Sequence, residues 1–178
     1  MTTQQLEKTR LGERGPTITR ICLGTMMFGD QTDEGEAAEM IARYGEAGGN
    51  FLDTADQYAN GGSERIVGRA IAGQRDRWIV ATKAGNEMVG MPDSGGLSAA
   101  WLHKALDQSL ERLGMDKVDL YYLHLDDEKT PLRIGRNGNV SVPGHSRDAG
   151  HQGTPGTGEP IEQGRLSRVR STHQCHDG

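Results

Sequence analysis

Four short apolar runs alternate with three stretches of helical spacing, and this alternation limits the chain to very few folds. The runs are Ile21–Gly24, Asn50–Leu52, Trp78–Thr82 and Val118–Leu123. Each is nearly continuous in apolar side chains, the pattern expected of strands covered on both sheet faces. Between them, Ala37, Ile41 and Tyr44 recur at helical spacing, as do Ile66, Val67, Ala70 and Ile71, and then Leu102, Leu106, Leu110 and Leu113. Such spacing marks a buried helix stripe. Thr32 or Asp33 and Ser98 stand at N-cap positions, Gly61-Gly62-Ser63 opens the second helix, and Gly48-Gly49 and Gly114 close the first and third. Upstream, Leu6–Arg10 and Pro16–Arg20 flank Gly12–Gly15 as a short hairpin. The expected class is α/β, with parallel strands joined by right-handed crossovers.

The pattern ends at Leu132. Of the 60 hydrophobic residues, 52 lie in residues 1–132 and only 8 in the last 46. Those 46 residues hold 9 Gly, 6 Arg, no Lys and no aromatic, and only 6 of them are Leu, Ile, Val or Phe. That composition is too poor to close a core. Residues 1–132 are therefore expected to form the folded unit, and 133–178 a low-complexity, disordered tail. The abrupt change of composition, with Arg replacing Lys, is what a shifted reading frame or a truncation would leave, and translating the other two frames of the coding DNA would test this. About 250 residues are needed for eight strand–helix units, and there is room here for about four. Such a unit is expected to be marginally stable or to need a partner covering its open side.

A formal net charge of −5 disfavours nucleic acid as a partner. No apolar run is long enough to span a bilayer, and no leader pattern is visible at the start, so a cytoplasmic location without membrane contact is expected. Two cysteines, Cys22 and Cys175, do not make a disulfide framework. His173-Gln174-Cys175-His176 groups three metal-binding types, but nothing around it preorganises a site, and no metal is expected. Asp107, Glu111 and Arg112 are expected to form a solvated helix face.

Three of the runs end in an ionisable residue: Asp53, Lys83 and His124. Parallel strands place such ends on one face, where ligands bind. One charged strand end is an ordinary solvated edge; three in succession converge. Tyr58 lies five residues past Asp53, over the same face. An isolated phenol, with a pKa near 10, is a poor acid at neutrality. A neighbouring ammonium favours the phenolate, a carboxylate keeps that ammonium charged, and an imidazole orients a carbonyl oxygen. The four groups suit proton donation to a carbonyl that receives a hydride.

The segments Cys22–Gly29, Asn50–Tyr58, Gly62-Ser63-Glu64, Ala81-Thr82-Lys83 and Asp119–His124 resemble, in order, the aldo-keto reductase family. The resemblance covers about Thr9 to Leu132. It implies the first half of a (β/α)8 barrel and reduction of an aldehyde or ketone with NADP(H). It further implies Asp53, Tyr58, Lys83 and His124 as catalytic residues, with Tyr58 as proton donor, and Thr25, Met26 and Asp53 beside the cofactor. The stretch Leu125-Asp126-Asp127 departs from the more frequent family pattern. The alternative is a truncated, inactive fragment or a non-enzymatic binding module on the same half barrel; the oligomeric state is left open.

Overall fold

The computed structural model describes residues 5–131 in full and the backbone of residues 133–134 and 140–141. β1 (Lys8–Arg10) and β2 (Thr17–Thr19) form the expected antiparallel hairpin, with Thr9 opposite Ile18. There follow β3 (Leu23–Gly24), α1 (Glu34–Glu46), β4 (Phe51–Asp53), α2 (Gly62–Ala70), β5 (Ile79–Ala84), α3 (Ala99–Leu113) and β6 (Leu120–Leu123). β3, β4, β5 and β6 make one parallel sheet in chain order. This is an α/β half-barrel pattern. β7 (Arg133–Ile134) and β8 (Val140–Ser141) form a separate antiparallel pair. Apart from that pair, the tail expected over 133–178, with its His173–His176 cluster, lies outside the described residues.

Local chemistry explains the helix ends. Asp33 caps α1, its Oδ1 accepting from the Glu36 amide at 2.9 Å. Ser98 caps α3 by accepting from the Trp101 amide at 3.2 Å. Each cap satisfies an amide that the first helical turn leaves unpaired. Gly114 ends α3 in the left-handed region, at φ 65°.

The helices bury one face of the sheet. Leu52, Val80, Thr82 and Ala84 point to that side and are fully buried, alongside Ile41 from α1, Val67 from α2, Ile71 just after α2, and Leu106 and Leu113 from α3. The opposite face is not covered as the continuous apolar runs suggest. Register places Gly24, Asp53, Ala81, Lys83, Leu120 and Tyr122 there; Ala81 and Leu120 are buried, but Tyr122 is 38% exposed. The reason is topological: right-handed crossovers lay every helix on the same side, and in a barrel the other side faces inward. The hairpin seals the N-terminal end of the strands. Asn50 Oδ1 accepts from the Thr19 amide at 2.8 Å, and Tyr44 donates to the Ile21 carbonyl at 2.7 Å.

The α2–α3 crossing is so close that it admits no side chain at Gly68. A Cβ built there would lie 2.2 Å from the Leu113 carbonyl oxygen. Gly68→Ala is expected to cost about 1–3 kcal/mol by overpacking, read as a lower denaturant midpoint at an unchanged slope.

Candidate active site

Three of the four strand ends deliver one ionisable group each to the C-terminal mouth of the sheet. Asp53 is the last residue of β4, Lys83 lies one residue from the end of β5, and His124 directly follows β6. Asp53 sits opposite Ala81, and Lys83 opposite Tyr122, so Asp53 and Lys83 emerge on the same inward face. Tyr58 arrives from the loop after β4, in a tight 3-10 turn over Tyr58–Gly61. Ala59, Asn60 and Gly61 all have positive φ, at 48°, 51° and 83°. Ala59 is the costly member, since a left-handed alanine is disfavoured by roughly 1–2 kcal/mol. The strain lies immediately beside the phenol, where functional loops store it.

The four groups meet. The Lys83 ammonium donates to Asp53 Oδ1 at 2.5 Å, to the Thr54 carbonyl at 2.8 Å and to the Tyr58 hydroxyl at 3.2 Å. It also lies over the Tyr58 ring, 4.7 Å from the centroid. The His124 ring meets Tyr58 edge-on, with centroids 5.8 Å apart and planes at 80°. Lys83 and Asp53 are mostly buried, at 14% and 24% side-chain exposure. Burial first, and then the Lys83 ammonium, push the His124 pKa below the ordinary imidazole value, with Asp53 opposing. His124 is therefore neutral near pH 7. Its Nδ1 is buried without a hydrogen-bond partner among the described residues.

The two other residues expected near a cofactor differ in kind. Thr25 is fully buried and spent on structure: its amide and its hydroxyl donate to the Asp53 carbonyl, and the hydroxyl also meets Ser63 Oγ at 2.8 Å. It shapes the turn after β3 and has no free hydroxyl to offer. Met26, the next residue, is 54% exposed. A hollow of about 420 Å³ lies at the other end of the strands, lined by Gln5, Lys8, Glu46 and Arg77 among others, and holds none of the four ionisable groups. No cluster of three metal-ligating side chains occurs among the described residues.

Several residues escape a pattern reading of the sequence. Glu64 is fully buried. Its Oε1 accepts from Thr82 Oγ1 at 2.5 Å and its Oε2 from Arg112 Nε at 2.6 Å. Arg112 is 9% exposed. It is thus no part of a solvated face, although Asp107 and Glu111 are exposed as expected. Arg112 turns inward to pair with Glu64 on the facing helix. Asp127 accepts from the amides of Leu97, Lys129 and Thr130 and from the Thr130 hydroxyl. Those bonds hold its pKa well below the usual carboxylate range, and they tie the chain after His124 to the loop before α3. The departure at Leu125–Asp127 is thus a loop anchor.

The model of the Aldo/keto reductase family matches residues 20–161. An oxidoreductase of Bacillus subtilis, YrpG, whose name marks it as uncharacterized, is 38% identical over 138 residues, covering 71% of this chain and 42% of that protein. The Schizosaccharomyces pombe aldo-keto reductase yakc, named with NADP(+), is 36% identical over 124 residues, covering 66% of this chain and 36% of that protein. Among solved structures, the holo form of the Bacillus halodurans aldo-keto reductase AKR11C1 superposes with a TM-score of 0.61 at 36% identity, covering 67% of this chain and 40% of that one. The chain thus spans about two fifths of the length of these relatives.

Proposed function

Since this chain belongs to the aldo/keto reductase family, we propose that its four clustered groups carry NADP(H)-dependent reduction of a small aldehyde or ketone. The carrying observation is the Lys83 ammonium, which bonds Asp53 and Tyr58 at once.

The residues present fit a nicotinamide cofactor at this mouth. Asp53 Oδ2 takes no hydrogen bond among the described residues, leaving an acceptor for a sugar hydroxyl. Met26 offers an exposed apolar side chain beside it. Thr25 contributes by fixing the turn that presents Met26. When bound, the reduced cofactor supplies the hydride to the carbonyl carbon.

Tyr58 donates its phenolic proton to the carbonyl oxygen. Lys83, already bonded to that phenol, offsets the negative charge left on it, and Asp53 keeps Lys83 in place. This is stabilisation of developing charge by groups that need not reorganise. Neutral His124 cannot compete as the acid; an imidazole N–H orients the substrate oxygen against Tyr58.

Two measurements test the proposal. NADPH titrated into the full chain is expected to change the fluorescence of the buried Trp78 and Trp101 saturably, and more tightly than NADH does. NADPH is also expected to be consumed in the presence of small aldehydes or ketones. Neither binding nor consumption, up to millimolar cofactor, would leave the inactive-fragment reading.

A further inference from the structure

Asp56 is the buried ionisable group that the mechanism above leaves unused. It lies midway between Asp53 and Tyr58 in the loop after β4 and is completely buried, at 0% exposure. Neither carboxyl oxygen finds a hydrogen-bond partner among the described residues. Its backbone amide, by contrast, donates to the carbonyl oxygen of Lys83 at 3.1 Å. Asp56 is thus fastened to the residue that binds Tyr58, in the same loop that carries Tyr58.

The groups facing it come from every neighbouring element. Glu64 on α2 repels its charge, while the adjacent Gln57 backbone amide, then Arg112 on α3 and Lys83 on β5, favour it. Tyr121 on β6 also feels that charge. Arg112 is already committed to Glu64, and Lys83 to Asp53. Among the described residues, no cation bonds Asp56. An isolated buried carboxylate is costly, and the usual escape is to take up a proton.

We infer that Asp56 is a proton-carrying positioning residue beneath the active site, and that losing its proton shifts the turn that delivers Tyr58 to Lys83. The inference rests on the reading of Tyr58 and Lys83 as the reactive pair. The coupling follows from connectivity: an ionised Asp56 attracts the Lys83 ammonium from below, in competition with Asp53 and Tyr58. Only Gln57 separates Asp56 from Tyr58, so strain in one passes to the other. Burial, and then Glu64, raise the Asp56 pKa to about 6, which places the event within the working range of a neutral-pH enzyme. The folded chain then holds a proton that the unfolded chain releases. The stability this gives is complete below the ordinary carboxyl value and is lost as pH rises through about 6.

The test needs no turnover, so failure of the reductase reading would leave it intact. In the full chain, aspartate carboxyl carbons and tyrosine rings are isotopically labelled and followed by NMR against pH. Asp56→Asn identifies the Asp56 signal, and Asp56→Ser serves the same end if the amide disturbs the loop. The expected result is a carboxyl titrating near 6, a step of the same midpoint in the Tyr58 ring signal, and loss of that step in both variants. A carboxyl midpoint in the range of an exposed aspartate would overturn the inference. So would a midpoint near 6 with a Tyr58 signal that stays flat, since a purely structural carboxyl would behave in that way.

Discussion

Tyr58→Phe is expected to lower carbonyl reduction by about 10²–10⁴-fold, the contribution of a positioned acid, while leaving thermal unfolding nearly unchanged. The structure makes this a clean subtraction. Among the described residues the phenolic oxygen bonds one group, Lys83 Nζ at 3.2 Å. Lys83 keeps its bonds to Asp53 and to the Thr54 carbonyl without it, and the ring keeps its edge contact with His124. The loss should fall on kcat and not on KM, because the removed proton is used only as the carbonyl is reduced. Steady-state kinetics at saturating NADPH, with unfolding followed in parallel, would check it. Reduction surviving within a few-fold would rule Tyr58 out as the acid.

Glu64→Ala carries the largest expected effect on stability, about 3–5 kcal/mol, the cost of removing one partner of a buried ion pair. It would strand the Arg112 guanidinium, 9% exposed, and the buried Thr82 hydroxyl. Equilibrium denaturation would measure the loss. The paired change of Glu64 and Arg112 to leucine should recover most of it, since an apolar substitute avoids the desolvation of two charges. A useful contrast is Glu34, whose bond to Arg69 at 2.5 Å lies at the surface with both side chains 56% exposed. Glu34→Ala should leave the midpoint almost where it was, because solvent screens such pairs. A small loss at Glu64 would mean that the α2–α3 seam is held by packing alone.

What could be read from the sequence was whatever is local or periodic. The hairpin, the four strands, the first helix's cap at Thr32 or Asp33, the ends at Ser98 and Gly114, and the strand-end placement of Asp53, Lys83 and His124 all depend on residues near one another in the chain or on a simple period. The helix-side stripe was visible for the same reason. Long-range pairing was not. Glu64 and Arg112 are 48 positions apart, and each alone resembles an ordinary charged helix position. Asp56 stands in a polar stretch, Thr54–Tyr58, that reads as an exposed loop until three elements close over it. The open face of the sheet was hidden by the opposite effect: a strand facing the interior of a barrel is as apolar as one sandwiched between helices, so continuous runs at Val118–Leu123 do not tell the two apart. Most of 133–178 lies outside the described residues, and its composition remains the ground for expecting it to be unstructured.

The bond between Thr82 and Glu64 has a consequence for the mouth of the sheet. β5 pairs on both sides, and side chains along it alternate between helices and interior. Sliding this strand by a single residue would swap Lys83 for Thr82, hiding the ammonium among the helices and presenting a methyl and a hydroxyl to the substrate. Glu64 grips Thr82 from the helix side and so acts as a detent, making any such slip break a buried contact before it can misplace the charge.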